Sequence, residues 1–227
     1  MNERGKLITL EGIEGSGKST CLPLIRDWIS EHGHACLTSR EPGGTPLAED
    51  IRNLLLTPGE ETIAPESEFL LMAAARKQHL EGVIAPALQS GKWVVLDRFA
   101  DSSVAYQGYG RGVDSGFINR VHAQLLGGIT PDLTLWFDLG IATSRKRVGK
   151  RRPDNLPGFE ADQHANWNTP GDRFETLGND FFARVRQGYA ALASKYPQRI
   201  RCINAEEDIP GVRGQVLAAL KGRFTAE

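Results

Sequence analysis

The sequence predicts an α/β protein in which a five-stranded parallel sheet carries helices on both faces. Two observations support this prediction. Short apolar runs alternate along the chain with segments of helical periodicity. The clearest of these runs are continuously apolar, which is typical of strands buried on both faces of a sheet. Because no internal repeat or linker divides the 227 residues, we expect one domain spanning 1–227.

Five short segments bounded by turn residues are predicted as strands: 7–10, 35–39, 93–97, 133–138 and 199–204. Between them, helical spacing predicts helices at 19–33, 47–55, 66–89, 114–126, 175–195 and 209–221. The second helix follows a turn rich in Pro and Gly and keeps Leu47, Ile51, Leu54 and Leu55 on one face. In sheets of this kind, ligands bind beyond the carboxyl ends of the strands.

Residues 12–19 read G-x-x-x-x-G-K-S and stand between the first strand and the first helix. With this spacing, called the P-loop, backbone N–H groups surround phosphate oxygens and the helix dipole faces the same anion. Lys18 would add a charge beside the transferred phosphate, and the Ser19 hydroxyl would ligate Mg²⁺. A glycine-rich turn without function is the alternative, and the complete spacing disfavours it. The predicted phosphate-binding residues are Gly12, Ile13, Glu14, Gly15, Ser16, Gly17, Lys18, Ser19 and Thr20.

Asp97 ends the third predicted strand, and Arg98 follows it. A carboxylate at this position can hold the water shell of Mg²⁺ or orient an attacking oxygen, and a guanidinium can bind phosphate. The alternative is an aspartate that caps the next helix. Asp138 ends the following strand, but Leu139 and Gly140 come after it, so we interpret that carboxylate as structural.

A basic cluster at 145–152 holds six Lys or Arg residues in eight positions. It opens an irregular stretch, 153–172, that contains three prolines and two glycines. Loops of this length are uncommon in compact domains and often act as active-site lids. A basic lid segment at about 145–175 would neutralise charge on a transferred phosphate and exclude water. A nucleic-acid patch is the alternative, but no other basic stripe in the sequence supports it.

The overall charge and the cysteines disfavour several other classes of protein. The net charge is −1, so the chain as a whole does not attract nucleic acid. The three cysteines form no C-x-x-C pair, which favours reduced thiols in a cytoplasmic protein. No signal peptide precedes the first strand, and no apolar run approaches the ~18 residues of a membrane span. We therefore expect neither a membrane nor a nucleic acid as partner.

Four motifs stand in order along the chain: the P-loop with Glu14, R-E-P-G-G-T at 40–45, D-R-F-A-D-S-S-V-A-Y-Q-G at 97–108, and D-R-F-E at 172–175. Together they resemble the bacterial thymidylate kinases over nearly the whole chain. The resemblance implies the P-loop NTPase fold with a lid segment. It also implies the reaction ATP + dTMP ⇌ ADP + dTDP with Mg²⁺, carried out by a homodimer.

The resemblance further implies an acceptor site for dTMP. Glu14 would face the 3′-hydroxyl, and Tyr106 would lie against the deoxyribose, where its ring disfavours a 2′-hydroxyl. Arg52 and Arg98 would hold the phosphate of dTMP. Glu41 would lie beside them at the acceptor–metal site.

For the base, Arg76 would meet the thymine edge, and Ser103 and Gln107 would contact it from the other side. The family usually places a stacking aromatic four residues before that arginine, where this sequence has Met72. A thioether can still pack against a ring face.

The implied catalytic residues are Lys18, Asp97, Arg98 and one lid arginine, for which Arg151 is the first candidate and Arg147 and Arg173 are the alternatives. The implied Mg²⁺ ligands are Ser19 and Asp97, partly through water. The P-loop contains no basic residue between Gly12 and Gly17. In this respect the sequence resembles the family members that supply arginines from the lid. Arg145, Arg147 and Arg173 are the other predicted lid residues.

Two alternatives stay open at this point. Met72 leaves room for another P-loop nucleotide or deoxynucleoside kinase. A non-catalytic nucleotide sensor is also open, because an intact site does not prove turnover. A GTPase switch is disfavoured, since the sequence has no N-K-x-D motif and its D-x-x-G lies at 208–211, near the C-terminal end.

Overall fold

The computed structural model describes residues 3–149, 173–174 and 177–225. Five strands form one sheet: β1 (Leu7–Glu11), β2 (Cys36–Arg40), β3 (Trp93–Asp97), β4 (Leu133–Asp138) and β5 (Ile200–Asn204). All neighbouring strands are parallel, in the order β2-β3-β1-β4-β5. The predicted five-stranded parallel sheet is therefore confirmed.

The helices in the described ranges are α1 (Lys18–Glu31), α2 (Pro46–Leu56), α3 (Pro65–His79), α4 (Ala85–Gln89), α5 (Ala100–Ser103), α6 (Ser115–Leu125), α7 (Ile141–Val148), α8 (Asn179–Lys195) and α9 (Ile209–Phe224). Two π-helical segments, Leu80–Ile84 and Val104–Gly110, continue α3 and α5. No helix in this part of the chain is long and apolar enough to cross a membrane.

Alternating side chains of the central strands pack on opposite faces of the sheet. Ile8 of β1 and Val95 of β3 lie in a core shared with α1, α8 and α9. Leu7 and Val94, one position away on the same strands, lie in a second core with α4 and the π-helical turn before it. Full burial of each such side chain stabilises the fold by about 1.5–3 kcal/mol. Helices therefore cover both faces, as predicted.

The strand register brings three chain segments together at the carboxyl edge of the sheet. Leu10 of β1 and Arg40 of β2 both pair with Asp97 of β3. The P-loop leaves β1 one residue later, and Glu41 follows directly after β2. All three segments therefore meet at one end of the sheet, beside the N-terminus of α1.

The helix predicted at 66–89 is divided into α3, the π-helical turn Leu80–Ile84 and α4. Pro86, near the start of α4, cannot donate the backbone hydrogen bond of an α-helix, and the wider turn precedes it. The helical segment at 100–110 is not among the elements that periodicity predicts. Its second half is also π-helical, a conformation that often occurs at functional sites.

Two further features add to the predictions. Of the four residues predicted to share one face of the second helix, Leu55 is buried, while Leu47 and Leu54 are 53% and 58% exposed. The described start of the basic cluster, at 145–148, lies in α7, a helix that the sequence analysis did not predict. Residues 150–172, which include Arg151, lie outside the described residues.

Candidate active site

One pocket at the carboxyl edge of the sheet contains every residue that the sequence analysis assigned to the acceptor. It is lined by Glu14, Glu41, Arg52, Met72, Arg76, Arg98, Ser103, Tyr106 and Gln107. Lys18, Ser19 and Asp97, predicted from the P-loop and the strand end, line the same pocket. Ser102 and Phe174 are further lining residues that the sequence analysis did not single out. The predicted acceptor residues therefore lie together with Lys18, Ser19 and Asp97, and their individual roles remain predictions.

The glycines of the P-loop have backbone conformations that other residues rarely adopt. Gly12, Gly15 and Gly17 have φ values of 137°, 74° and 90°, a region that disfavours other residues. A Cβ on Gly12 would also lie 2.6 Å from the backbone oxygen of Phe137. The glycines of the motif are thus explained by backbone geometry and not by composition alone.

Lys18 lies folded over the P-loop. Its Nζ donates to the backbone oxygens of Gly12 and Ile13 over 3.0 and 3.1 Å. Burial, with a smaller effect of Arg98, lowers the pKa of Lys18 to about 8, although Asp97 and Glu14 oppose this shift. An anionic phosphate in the loop would favour the charged ammonium, as phosphate binding by this residue requires.

Arg98 connects the strand-end motif to the P-loop. Its Nη2 donates to Glu14 Oε1 over 2.6 Å and to the Tyr106 hydroxyl over 3.0 Å. Arg98 has a φ of 71°, which is unusual for a residue other than glycine, and its backbone N–H is held by Leu10 O at 2.9 Å. The strained turn points a guanidinium into the pocket, where it can bind a phosphate.

A buried carboxylate that sequence reasoning missed supports this turn. Glu11 is fully buried and accepts from the Phe99 backbone N–H, the Ser102 hydroxyl and the Tyr189 hydroxyl at 2.5–2.9 Å. Burial raises the pKa of Glu11 to about 7. The only signal in the sequence was a glutamate at the end of an otherwise uncharged strand.

Arg76 lies on the side of the pocket that we assigned to the base. It donates to Glu41 Oε2 over 2.6 Å, to Ser103 Oγ over 2.9 Å and to Phe99 O over 3.0 Å. Its Nη1 also lies 3.1 Å from Nε2 of the buried His122. Burial first, and then Arg76, lower the pKa of His122 to about 3, so the ring is neutral and accepts from the guanidinium.

Glu41 therefore has a partner that the sequence analysis did not assign. Its carboxylate is almost fully buried and pairs with Arg76, and its Oε1 lies 3.4 Å from Nδ1 of His79. The role expected for Glu41, beside the phosphate-binding arginines at the acceptor–metal site, remains a prediction; in the structure its carboxylate binds Arg76. Arg52 lies at the pocket wall and donates to Pro42 O over 2.9 Å.

Asp97 and Ser19 fit a magnesium ion. Asp97 Oδ1 is buried and has no hydrogen-bond partner in the described part of the chain. Unpaired buried carboxylate oxygens are costly, and a bound cation would satisfy this one. Carboxylate and hydroxyl oxygens are the ligands that Mg²⁺ prefers, usually with several waters retained.

The described lid arginines lie in different places. Arg147 donates to Gly15 O of the P-loop over 3.4 Å. Arg145 donates to Leu177 O and packs over the Phe182 ring, and Arg173 is bound to Glu68 over 2.7 Å on the base side. Of these three, Arg147 lies beside the phosphate loop.

A second cavity lies on the other side of the P-loop. It is lined by P-loop residues, by Arg147 and by the start of α9, including Asp208, Pro210 and Arg213. The sequence analysis assigned no function to 207–213. The D-x-x-G at 208–211 gave no indication of a nucleotide site, and α9 shares the larger core with α1.

The parallel sheet, the P-loop and the charged pocket at its mouth define a P-loop phosphotransferase. Comparison with known proteins is more specific. The chain belongs to the thymidylate kinase family, because the sequence model of that family matches its residues 10–216. It is 44% identical over 222 residues to the thymidylate kinase of Alkalilimnicola ehrlichii, covering 98% of this chain and 95% of that one. It is 43% identical to the thymidylate kinase of Nitrosospira multiformis, covering 94% and 95% of the two chains.

The fold comparison agrees. The crystal structure of thymidylate kinase from Ehrlichia chaffeensis superposes with a TM-score of 0.73 at 30% identity, covering 96% of this chain and 99% of that chain. The resemblance inferred from the four motifs is thereby confirmed at the level of family and fold.

Proposed function

We propose that this protein transfers the γ-phosphate of ATP to dTMP, giving ADP and dTDP, and so supplies the precursor of dTTP. The observation that supports this most directly is the pairing of Arg98 with Glu14. It joins the phosphate-binding loop to the pocket that contains Arg76 and Gln107. The phosphates of the donor, ATP, and an acceptor nucleotide can therefore bind next to each other.

The acceptor end of the pocket suits a deoxynucleoside monophosphate. Arg98 and Arg52 line the pocket and would supply guanidinium groups for its phosphate. A guanidinium can contact a phosphate through two parallel N–H groups. The Tyr106 hydroxyl donates to Glu14 Oε2 over 3.2 Å. Its ring would contact the deoxyribose beside the 3′-hydroxyl that Glu14 would bind. Arg76 offers only donors, as recognition of a base carbonyl requires.

The donor would occupy the P-loop, with its nucleoside in the second cavity beside α9. Arg147 and Arg213 line that cavity and would offset the charge of the phosphates. Arg151 lies outside the described residues, and its contact with the transferred phosphate remains a prediction, as does assignment to the lid-arginine type.

Magnesium is part of the proposal because Ser19 and Asp97 could hold it, as described above. When bound, Mg²⁺ would neutralise charge on the phosphates. Lys18 would bind the transferred phosphate, and Arg98 would hold the acceptor phosphate in line with it.

A homodimer in the cytoplasm is the proposed state of the protein. Leu47 and Leu54 are seven residues apart on α2 and so share a face of that helix, and the neighbouring α3 exposes Leu70. Exposed apolar side chains of this kind are typical of a protein–protein interface, here between two copies of the chain.

The proposed cytoplasmic location is supported by the cysteines: none of the three is in a disulfide. This is consistent with a reducing compartment.

The test is an ADP-release assay with dTMP, dUMP, UMP, CMP and AMP as acceptors. We expect a clear preference for dTMP over UMP and CMP. Equal rates with UMP or CMP would favour a different nucleotide kinase, and nucleotide binding without turnover of any acceptor would favour a sensor. A second measurement compares Lys18→Ala and Arg151→Ala, each of which should lower kcat by about 10³-fold or more.

A further inference from the structure

Glu68 is a buried carboxylate with no place in the mechanism above. It is fully buried on α3 and does not line the pocket. Arg111 donates to it over 3.0 Å and Arg173 over 2.7 Å. Its third partner is Gln107, whose Nε2 donates to Glu68 Oε1 over 3.0 Å.

This contact determines which way the Gln107 amide faces. An ionised carboxylate accepts hydrogen bonds and cannot donate them, so the NH₂ end of the amide must face Glu68. Arg111 and Arg173 both form ion pairs with this carboxylate. The carbonyl oxygen Oε1 is therefore turned away from Glu68.

The carbonyl oxygen is available to a ligand. Gln107 lines the acceptor pocket together with Arg76 and Ser103. In the ranges that the structure describes, no donor is paired with Gln107 Oε1. The pocket thus presents an acceptor at Gln107 and donors at Arg76.

We propose that Glu68 is a positioning residue for base selectivity: it fixes the Gln107 amide so that Oε1 accepts from the N3–H of a thymine or uracil ring. Arg76 would donate to O4 of the same edge. Cytosine has the opposite pattern, an acceptor at N3 and an amino donor at C4, and meets like groups at both positions. This inference rests on the proposed function, because it assumes a pyrimidine nucleotide in the pocket.

The surrounding ion pairs explain how one carboxylate can hold this orientation. Arg111 follows the π-helical segment that carries Gln107, and Arg173 lies next to the end of the predicted lid. Arg173 also donates to Leu55 O over 3.1 Å, which ties it to α2. Glu68 is thus held in place from two sides and cannot turn with the amide.

The test compares dTMP with dCMP as acceptors for the wild type, Glu68→Gln and Gln107→Met. A glutamine at 68 can accept or donate, so the Gln107 amide is free to turn. Methionine at 107 removes the amide and leaves the carboxylate of Glu68 with its two arginines. For both variants we expect the ratio of kcat/KM for dTMP to that for dCMP to fall by roughly tenfold or more, mainly through a higher KM for dTMP.

The double variant gives the decisive comparison. If Glu68 acts through Gln107, the substitution at 68 should not change the ratio further in the Gln107→Met background. A structural role alone would lower the rates with both acceptors and leave the ratio unchanged, which would overturn the proposal. An unchanged ratio in Gln107→Met would also overturn it.

Glu66→Gln is the matched control, since Glu66 lies on the same helix and is exposed. It should leave both rates unchanged. Absence of dTMP phosphorylation in the wild type would refute the proposed function. Wild-type activity with unchanged selectivity in the variants would refute this inference alone.

Discussion

Arg98 Nη2 and Glu14 Oε1 lie 2.6 Å apart, which joins the residue after β3 to the middle of the P-loop. Burial alone would raise the pKa of Glu14, but Arg98 and Lys18 outweigh burial and lower it. Glu14 is therefore ionised throughout the neutral range, and it holds the guanidinium in the position from which it can bind a phosphate.

We expect Glu14→Gln to raise KM for dTMP and to lower kcat/KM by about 10- to 100-fold, since a charged hydrogen bond contributes about 1.5–3 kcal/mol. KM for ATP should change less, because backbone N–H groups hold the donor phosphates. Steady-state kinetics with each substrate varied in turn would show this. Unchanged KM for dTMP would contradict the role assigned to the Arg98–Glu14 pair. The exposed Glu31→Gln on α1 is the control.

Asp97→Asn should lower kcat by about 10²- to 10³-fold and raise the Mg²⁺ concentration needed for half-maximal rate. The reason is the buried, unpaired Oδ1 atom, which we assign to the metal and its waters. Asp138→Asn is a closely matched control, because Asp138 also ends a strand but pairs with Arg186 at the surface. It should keep wild-type activity. Equal effects of the two substitutions on the Mg²⁺ titration would count against the metal site.

The affinity for ATP should fall as the pH rises through about 8 in the free enzyme. Lys18 has its pKa lowered to about 8 by burial and by Arg98, so it loses the charge that attracts phosphate above that pH. In a pH profile, kcat/KM for ATP should therefore decrease on the alkaline side; we call this decrease the alkaline limb. The decrease should be weaker in kcat, because bound phosphate keeps the lysine protonated. Lys18→Arg should lower kcat but remove the limb, since arginine stays charged; a limb that persists would have another origin.

His122 should make folding stability depend on pH. Its pKa is lowered to about 3 by burial and by Arg76, below the 6.5 of the unfolded chain. Between these values the unfolded state binds more protons, so stability rises with pH, by at most about 1.4 kcal/mol per pH unit. Urea unfolding at several pH values should show a shallower rise for His122→Gln. The same substitution at the exposed His34 should leave the slope unchanged.

Much of the fold and part of the site could be predicted from local sequence. The P-loop needs a fixed spacing of Gly, Lys and Ser, and Asp97–Arg98 follows a recognisable apolar strand. Once the strands were assigned, parallel pairing required their carboxyl ends to meet. The nine acceptor residues required the family resemblance as well, because Arg76, Ser103 and Gln107 alone look like ordinary polar side chains.

Tertiary structure decided which partners the buried carboxylates bind. Glu11 is bound by Tyr189, which is 178 residues away, and Glu41 is bound by Arg76, which is 35 residues away. Gln107, on the π-helical segment, contacts Glu68 of α3, which lies 39 residues earlier in the chain. Spacing rules describe neighbours within one helix or one strand, and they carry no information about contacts between elements. The sequence by itself therefore determined the phosphate loop and the sheet. The orientation of the Gln107 amide was decided by the packing of α3 against the π-helical segment, which no local pattern encodes.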